Sequence, residues 1–244
     1  MIKYNQSLLF YIFFLFSIHA NALTIGVLTG TGTSGFVDGP NPGHTLLQLD
    51  EISGDLGFTY TTDVVITSLA DANAFDVIIA GCCNADTTSN LDWDSILLPY
   101  IEAGGGVIIE NPGYIANLAT SGINAVEDSV GDVFHDIVDT TITGADFEYD
   151  DLHNIQQMTF NGYDSSRWNE FLVSHTEREV TGLYGEFGDG RIIVNGVTIF
   201  QHASVIDIPR AEIAWVARVP EPSSLALLGL GLICMVFSRK NYRN

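Results

Sequence analysis

The side chains able to do chemistry are few and scattered along this chain. Cys82 and Cys83 are neighbours, and Cys234 lies far from both. A bridge between adjacent cysteines closes a strained ring, so Cys82 and Cys83 read as two small thiols at the end of a strand. Zinc would need further cysteine or histidine at ligand spacing, and His44, His135, His153, His175 and His202 are dispersed. His44, with Asp50 and Glu51 a turn or two further on, could imitate an acid–base pair or simply be a solvated helix-terminal histidine.

Two further patterns have a stated chemistry. Residues 30–35 read GTGTSG, a GxGxxG match directly after an apolar run. A dinucleotide site needs a helix to open at once so that its N-terminus meets the pyrophosphate, and Asp38-Gly39-Pro40-Asn41-Pro42 intervenes. A flexible glycine-rich loop at a strand end is the better reading. Asp146, Glu148, Asp150 and Asp151 form an acidic cluster, the oxygen-rich type of site that calcium prefers. It lacks the spacing of an EF-hand, so a solvated loop and a calcium site both stay open, and no other cofactor is expected.

The elements that would position these residues alternate strand and helix. Residues 23–28 (LTIGVL) predict a strand, and 44–56, with Leu46, Leu49, Ile52 and Leu56 on related faces, an amphipathic helix. Residues 58–66 are β-rich, and 76–80 (DVIIA) form a short apolar strand closed by Gly81. A helix over 92–103 places Trp93, Ile96, Leu97, Tyr100 and Ile101 on one stripe, with Pro99 off it as a kink. Gly104-Gly105-Gly106 ends that helix and residues 107–110 (VIIE) start the next strand. The second half is less regular until a tight Gly188-Asp189-Gly190 turn leads into a strand, and 209–216 suit a last helix. Short apolar strands separated by helices predict an α/β domain with a doubly wound, mostly parallel sheet over residues 23–218.

Charge limits the partners. The chain carries a net charge of −21, from 30 acidic and 9 basic residues, and residues 4–166 contain no Lys or Arg. Such a surface repels nucleic acid and anionic lipid and favours solubility, divalent cations or cationic partners. Disorder is excluded by aromatic and branched apolar residues throughout.

Both ends differ from this acidic middle. Lys3, an apolar run over 7–18 and Ala20-Asn21-Ala22 have the layout of a signal peptide, with cleavage by signal peptidase before Leu23. An uncleaved anchor is the alternative, but the apolar run is short against the ~20 residues that span a bilayer. At the other end Val219, Pro220, Glu221 and Pro222 precede an uncharged stretch over 223–238, followed by Arg239, Lys240 and Arg243. As a helix this stretch would be about 24 Å long, a little under a hydrocarbon core of about 30 Å. Its basic tail would stay cytoplasmic, leaving the body outside.

This C-terminal segment resembles the PEP-CTERM sorting signal, also known as the ice-binding protein C-terminal domain, though no residue here points to ice. The resemblance implies transient residence in the inner membrane through a helix at 223–238. It also implies cutting near Pro220-Glu221-Pro222 by an exosortase-type membrane protease, then release or transfer to the cell surface.

The middle resembles the class I glutamine amidotransferase-like superfamily, especially its ThuA-like branches. The stretches DVIIAG at 76–81, YIEAGGGVII at 100–109 and YGEFGDGRIIVNG at 184–196 carry the likeness. Amidotransferases of that superfamily place a nucleophilic Cys in a Gly-x-Cys-x-Gly turn after the strand that here ends at Glu110. Matching the last glycine to Gly113 puts Asn111 at that position, and Asn has no nucleophile to activate. The superfamily's His-x-Glu pair is also missing, because His202 is followed by Ala203 and Ser204. The resemblance thus implies a fold with the amidotransferase chemistry lost, and no catalytic residue is assigned. A strand-edge pocket would gather His44, Cys82 and Asn111.

Two functional classes follow. One is a non-catalytic envelope or extracellular-matrix module that binds exopolysaccharide or a surface protein. The other is a divergent secreted hydrolase using strand-edge residues such as His44, Glu110 or Asn111.

Overall fold

A computed structural model describes residues 23–28, 44–81, 90–110, 115–129, 135–143, 148–149, 157–175, 177–197 and 206–218. The chain begins with β1 (Thr24–Leu28), α1 (His44–Leu56), β2 (Thr59–Val64), a one-turn α2 (Leu69–Ala72) and β3 (Val77–Ala80). A π-helix (Trp93–Leu97) runs straight into α3 (Leu98–Glu102), and β4 (Gly106–Glu110) follows. After a 3-10 turn (Leu118–Ser121) come β5 (Ile123–Ser129), β6 (His135–Ile137), β7 (Glu148–Tyr149), β8 (Gln157–Tyr163), β9 (Asn169–Ser174), β10 (Val180–Phe187) and β11 (Gly190–Asn195). The last helix is α4 (Asp207–Val216).

Nine strands form one sheet in the order β2-β1-β3-β4-β11-β10-β9-β6-β7, while β5 and β8 pair separately. From β2 to β11 every pairing is parallel, the strand order of a flavodoxin-like sheet, and from β11 to β7 every pairing is antiparallel. The irregular second half of the sequence is therefore the antiparallel wing of the same sheet. Part of the acidic stretch at 146–151, expected as a loop, is the edge strand β7, whose backbone pairs with β6. Acidic residues suit an edge strand, since charge there discourages pairing with another chain.

The parallel strands read as continuous apolar runs because both faces are covered. On one face Ile25, Val27, Val77, Ile79, Ile108 and Ile193 meet Leu49 and Ile52 of α1 and Ile208, Ile213 and Val216 of α4. On the other Ile78, Ala80, Val107, Ile109, Ile192 and Val194 meet Ile96, Leu97, Tyr100 and Ile101, together with Trp93, Trp168 and Phe187. Asp92 caps the π-helix by accepting from the Ser95 backbone N–H at 2.8 Å. The break expected at Pro99 takes the form of this π-turn. Proline has no N–H, its ring would crowd the carbonyl one turn back, and the preceding N–H groups of Leu97 and Leu98 reach five residues back, to Asp92 and Trp93.

The turn between β10 and β11 is wedged against the end of α3. Gly188 has a φ of 58°, and a Cβ at Gly190 would lie 2.0 Å from the Ile101 carbonyl oxygen and 2.4 Å from that of Gly105. Neither backbone can retreat, so Gly190→Ala is expected to destabilise the chain by about 3 kcal/mol. Gly54, inside α1 with nothing within 4 Å of a built Cβ, is the opposite case. Gly54→Ala is expected to stabilise by about 0.5–1 kcal/mol through helix propensity. Urea midpoints of the two variants against the parent check both signs, and a neutral Gly190→Ala would contradict the packing described.

Candidate functional site

In an open α/β sheet, ligands bind outside the carboxyl ends of the strands where the strand order reverses, here between β1 and β3. The segments that follow β1, β3, β4 and β11 at this edge lie largely outside the described residues. What the described residues show there is a row of buried polar side chains. Glu110 ends β4 and its Cα partner Asn195 ends β11, while Glu212 descends from α4. Further along the same edge stand Thr181 near the start of β10, Ser174 at the end of β9 and His135 at the start of β6. All six are 1% exposed or less.

The row divides into two groups. Asn195 Nδ2 donates to Glu212 Oε1 at 3.0 Å. Burial pushes the Glu212 carboxyl up to about 8, the Asn195 bond pulls it down, and the Glu110 carboxyl adds to the rise. In the second group His135 Nδ1 lies 3.0 Å from Thr181 Oγ1, and Ser174, its cross-strand partner, accepts the Glu179 N–H at 3.0 Å. His135 Nε2 is buried with no hydrogen-bond partner. Burial lowers His135 to about 4, so the ring is neutral at physiological pH. A base next to a hydroxyl resembles half of a nucleophilic site, yet neither group reaches solvent, and so weak a base abstracts protons poorly near pH 7. The exposed polar cluster at this edge pins a hairpin: His175 Nδ1 lies 2.9 Å and Arg178 Nη1 2.5 Å from the Asp136 carboxylate. The hydrogen bond with His175 and the charge of Arg178 hold Asp136 below the usual carboxylate range.

At the opposite, amino edge of the antiparallel wing an open groove of about 430 Å³ is lined by Val138, Asp139, Tyr163, Ser165, Trp168, Asn169 and Glu170. Its carboxylates are held by phenols. Tyr163 donates to Glu170 in a short bond, and Tyr184 donates to Asp139 Oδ2 at 2.6 Å. Partial burial first, and then the Glu170 carboxylate, push the Tyr163 phenol up to about 12. Such a groove offers fixed acceptors beside two aromatic residues, Tyr163 and Trp168, an arrangement suited to hydroxyl donors.

Most of the residues expected from the sequence to form a site lie outside the described residues. His44 opens α1, but its side chain lies outside them, as do Cys82, Asn111, Asp146, Asp150 and Asp151. Glu148 is placed by its backbone on β7. No group of three or more His, Cys, Asp or Glu able to hold a metal occurs among the described residues. Glu212 escaped the sequence reading although it left a signal, a carboxylate on the stripe formed by Ile208, Ile213 and Val216. His135, Ser174 and Thr181 left none, since only the sheet order makes them neighbours.

A profile of the PEP-CTERM protein-sorting motif matches residues 218–240, so the chain carries this sorting signal, directly after α4. The motif marks a protein exported to the cell surface or beyond by way of an exosortase-type protease. Val219, Pro220, Glu221, Pro222, Arg239, Lys240 and the uncharged stretch between them lie outside the described residues, as does Arg243. Among the described residues no helix is long and apolar enough to cross a membrane. Searching curated protein sequences gives no match. Among solved structures, a cytoplasmic protein of Salmonella typhimurium shares 11% identity at a TM-score of 0.52, over 81% of this chain and 98% of its own. A beta-galactosidase from Rahnella shares 11% at 0.51, over 82% of this chain and 32% of the enzyme. A ThuA-like protein of Parabacteroides merdae shares 11% at 0.48, over 80% and 90%. The two likenesses above 0.5 show a shared fold and nothing about activity.

His135 gives a test of this edge. Its folded pKa is lowered from 6.5, so the unfolded chain takes up a proton that the fold refuses. That stabilisation is complete above pH 6.5 and is lost as pH falls towards 4, a loss of about 3 kcal/mol. In His135→Gln this part of the pH dependence should vanish in urea unfolding measured at steps across the window. An unchanged slope would show that His135 is solvated.

Proposed function

We propose that this chain is an exosortase-processed protein of the cell envelope or extracellular matrix whose acidic α/β domain binds a ligand and does not turn it over. Residues 1–22 serve as its export signal, and 223–238 as a helix held transiently in the inner membrane until the chain is cut near Pro220-Glu221-Pro222. The observation that supports this reading most directly is the sorting motif immediately following a folded domain with no intervening linker. The non-catalytic part is supported by Asn111 at the superfamily's nucleophile position and by the burial of Glu110, His135, Asn195 and Glu212. Groups that are enclosed and bonded to one another hold a fold together; they do not meet substrate. Exopolysaccharide or a surface protein is the partner class that fits an acidic module with an open polar groove, and calcium bound at 146–151 is compatible with it.

One observation favours the hydrolase reading, the solvent-exposed His175 beside Asp136, which has the form of a base and its orienting acid. Arg178 shares the same carboxylate, which accounts for the pair as a structural pin.

Intact mass of protein collected from medium and cell surface should give a species starting near residue 23 and ending near 220–222. A surface species that retains 239–244 would overturn the sorting reading. Incubation of the purified chain with glutamine and with activated esters should release ammonia and acid only at background, unchanged in Asn111→Ala and His175→Ala. Turnover that disappears in either variant would establish the hydrolase.

A further inference from the structure

α4 runs back over one face of the sheet from the carboxyl edge and ends at Val216, whose carbonyl oxygen lies 2.7 Å from a Cβ built at Gly106. Its buried contact with the sheet is mainly apolar, but it includes Glu212, which is fully buried against Asn195. Asn195 Nδ2 satisfies Glu212 Oε1, but Glu212 Oε2 and Asn195 Oδ1 are both buried with no hydrogen-bond partner. Two orphaned acceptors in the core would be costly, and more so for a charge. A carboxylic acid and a primary amide remove both with one proton. Nδ2–H donates to Oε1 as observed, and Oε2–H donates to Oδ1 in a second bond.

The charged groups around the helix favour the protonated form. From β4, the Glu110 carboxyl opposes a second negative charge. From β11, Arg191 is engaged by Glu186 and by the Trp215 carbonyl, and on α4 itself Arg210 is engaged by Asp207 and by Asp55 and Glu51 of α1. These two arginines are thus committed to other carboxylates, and neither pairs with Glu212.

We propose that Glu212 and Asn195 form a proton-binding site, in which one bound proton closes a two-bond acid–amide pair and fastens α4, with the start of the sorting segment, to the sheet. On deprotonation the proton passes to water, the second bond is lost, and Oε2 carries a charge facing Oδ1 and Glu110. Burial places this step at about 8 in the folded chain, against 4.5 for an unperturbed glutamate. The sign follows from the raised value. Docking of α4 is strongest below pH 4.5, weakens about tenfold per pH unit as pH rises, and levels off above about 8. The sorting motif begins at residue 218, two residues beyond α4, so a loosened helix gives a protease a longer accessible segment. This last consequence rests on the sorting reading above, whereas the proton and the fastening concern the chain alone and are tested on it.

The test uses the full chain in detergent micelles. Carbon-13 labelling of glutamate carboxyls should show one resonance, absent in Glu212→Gln, that is protonated at pH 6.5 and titrates near pH 8. A Glu212 already ionised at pH 6.5 would overturn the proposal. Hydrogen exchange then follows the α4 amides, as protection factors corrected for intrinsic rates. Protection should fall about fiftyfold between pH 6 and 8 in the parent and stay level in Glu212→Gln, whose amide makes the same two bonds without titrating. Parallel losses in parent and variant would overturn the fastening role. Should Glu212→Gln not fold, the β3 amides of the parent are the reference. A pH slope in α4 no steeper than in β3 refutes the clamp, and a steeper one supports it.

Discussion

The tip of the β10–β11 hairpin is pressed backbone to backbone against the end of α3, and the sheet is organised around that contact. The Asp189 N–H bonds the Glu102 carbonyl at 3.1 Å, filling an acceptor that the helix end leaves open, and the Arg191 N–H bonds the Gly105 carbonyl at 3.3 Å where β4 begins. Glycines at 188 and 190 let the chains approach this closely. The contact fixes β11 against β4 in parallel register, with Arg191 opposite Gly106 and Asn195 opposite Glu110. Because β11 is also antiparallel to β10, one strand turns a five-strand parallel sheet into a nine-strand mixed one. A loss of register at this contact would separate the two halves and dismantle both apolar layers.

The same strand carries the polarity of the molecule. Along its length Ile192, Ile193 and Val194 enter the two apolar layers, and only at Asn195 does it meet a buried polar partner. The pattern repeats across the wing at Ser174 and Thr181. The polar side chains of the carboxyl edge are therefore enclosed where it is described, while the open polar groove lies at the amino edge. Among the described residues the geometry separates this buried polar row from the part of the wing that offers solvent a concave surface.

Much of the parallel half was legible in the chain. The apolar runs at 23–28, 76–80 and 107–110 became β1, β3 and β4 because buried parallel strands need no alternation, and the stripe at 44–56 became α1. Pro99 announced a break in its helix but not its form, since a π-turn depends on how the following residues pack. The antiparallel wing was not legible. β6 and β7 are three and two residues long, too short to show a period, and β9 and β10 carry register shifts that spoil alternation. The candidate site divides in the same way. Glu212 was missed although it left a signal, a charge on an apolar stripe, whereas His135 and Thr181 are 46 positions apart and meet only through β9. The sorting signal, by contrast, is a linear motif that is read without folding, and the sequence alone identified it.

The three tryptophans divide the molecule optically. Trp93, from the parallel half, and Trp168, from the antiparallel wing, lie 6.0 Å apart, each within 5.5 Å of Phe187, and both are shielded from water. Their rings meet where the two halves join, so their emission is blue and responds to any parting of the halves. Trp215 sits on α4 in a different setting, with the Arg191 guanidinium 4.8 Å from its ring centre and Tyr184 edge-on at 5.3 Å. A nearby cation and partial exposure shift its spectrum away from the buried pair. The chain thus carries native fluorophores in two separate places, a pair sensing the integrity of the sheet and a single ring sensing the seating of the helix that leads into the sorting signal.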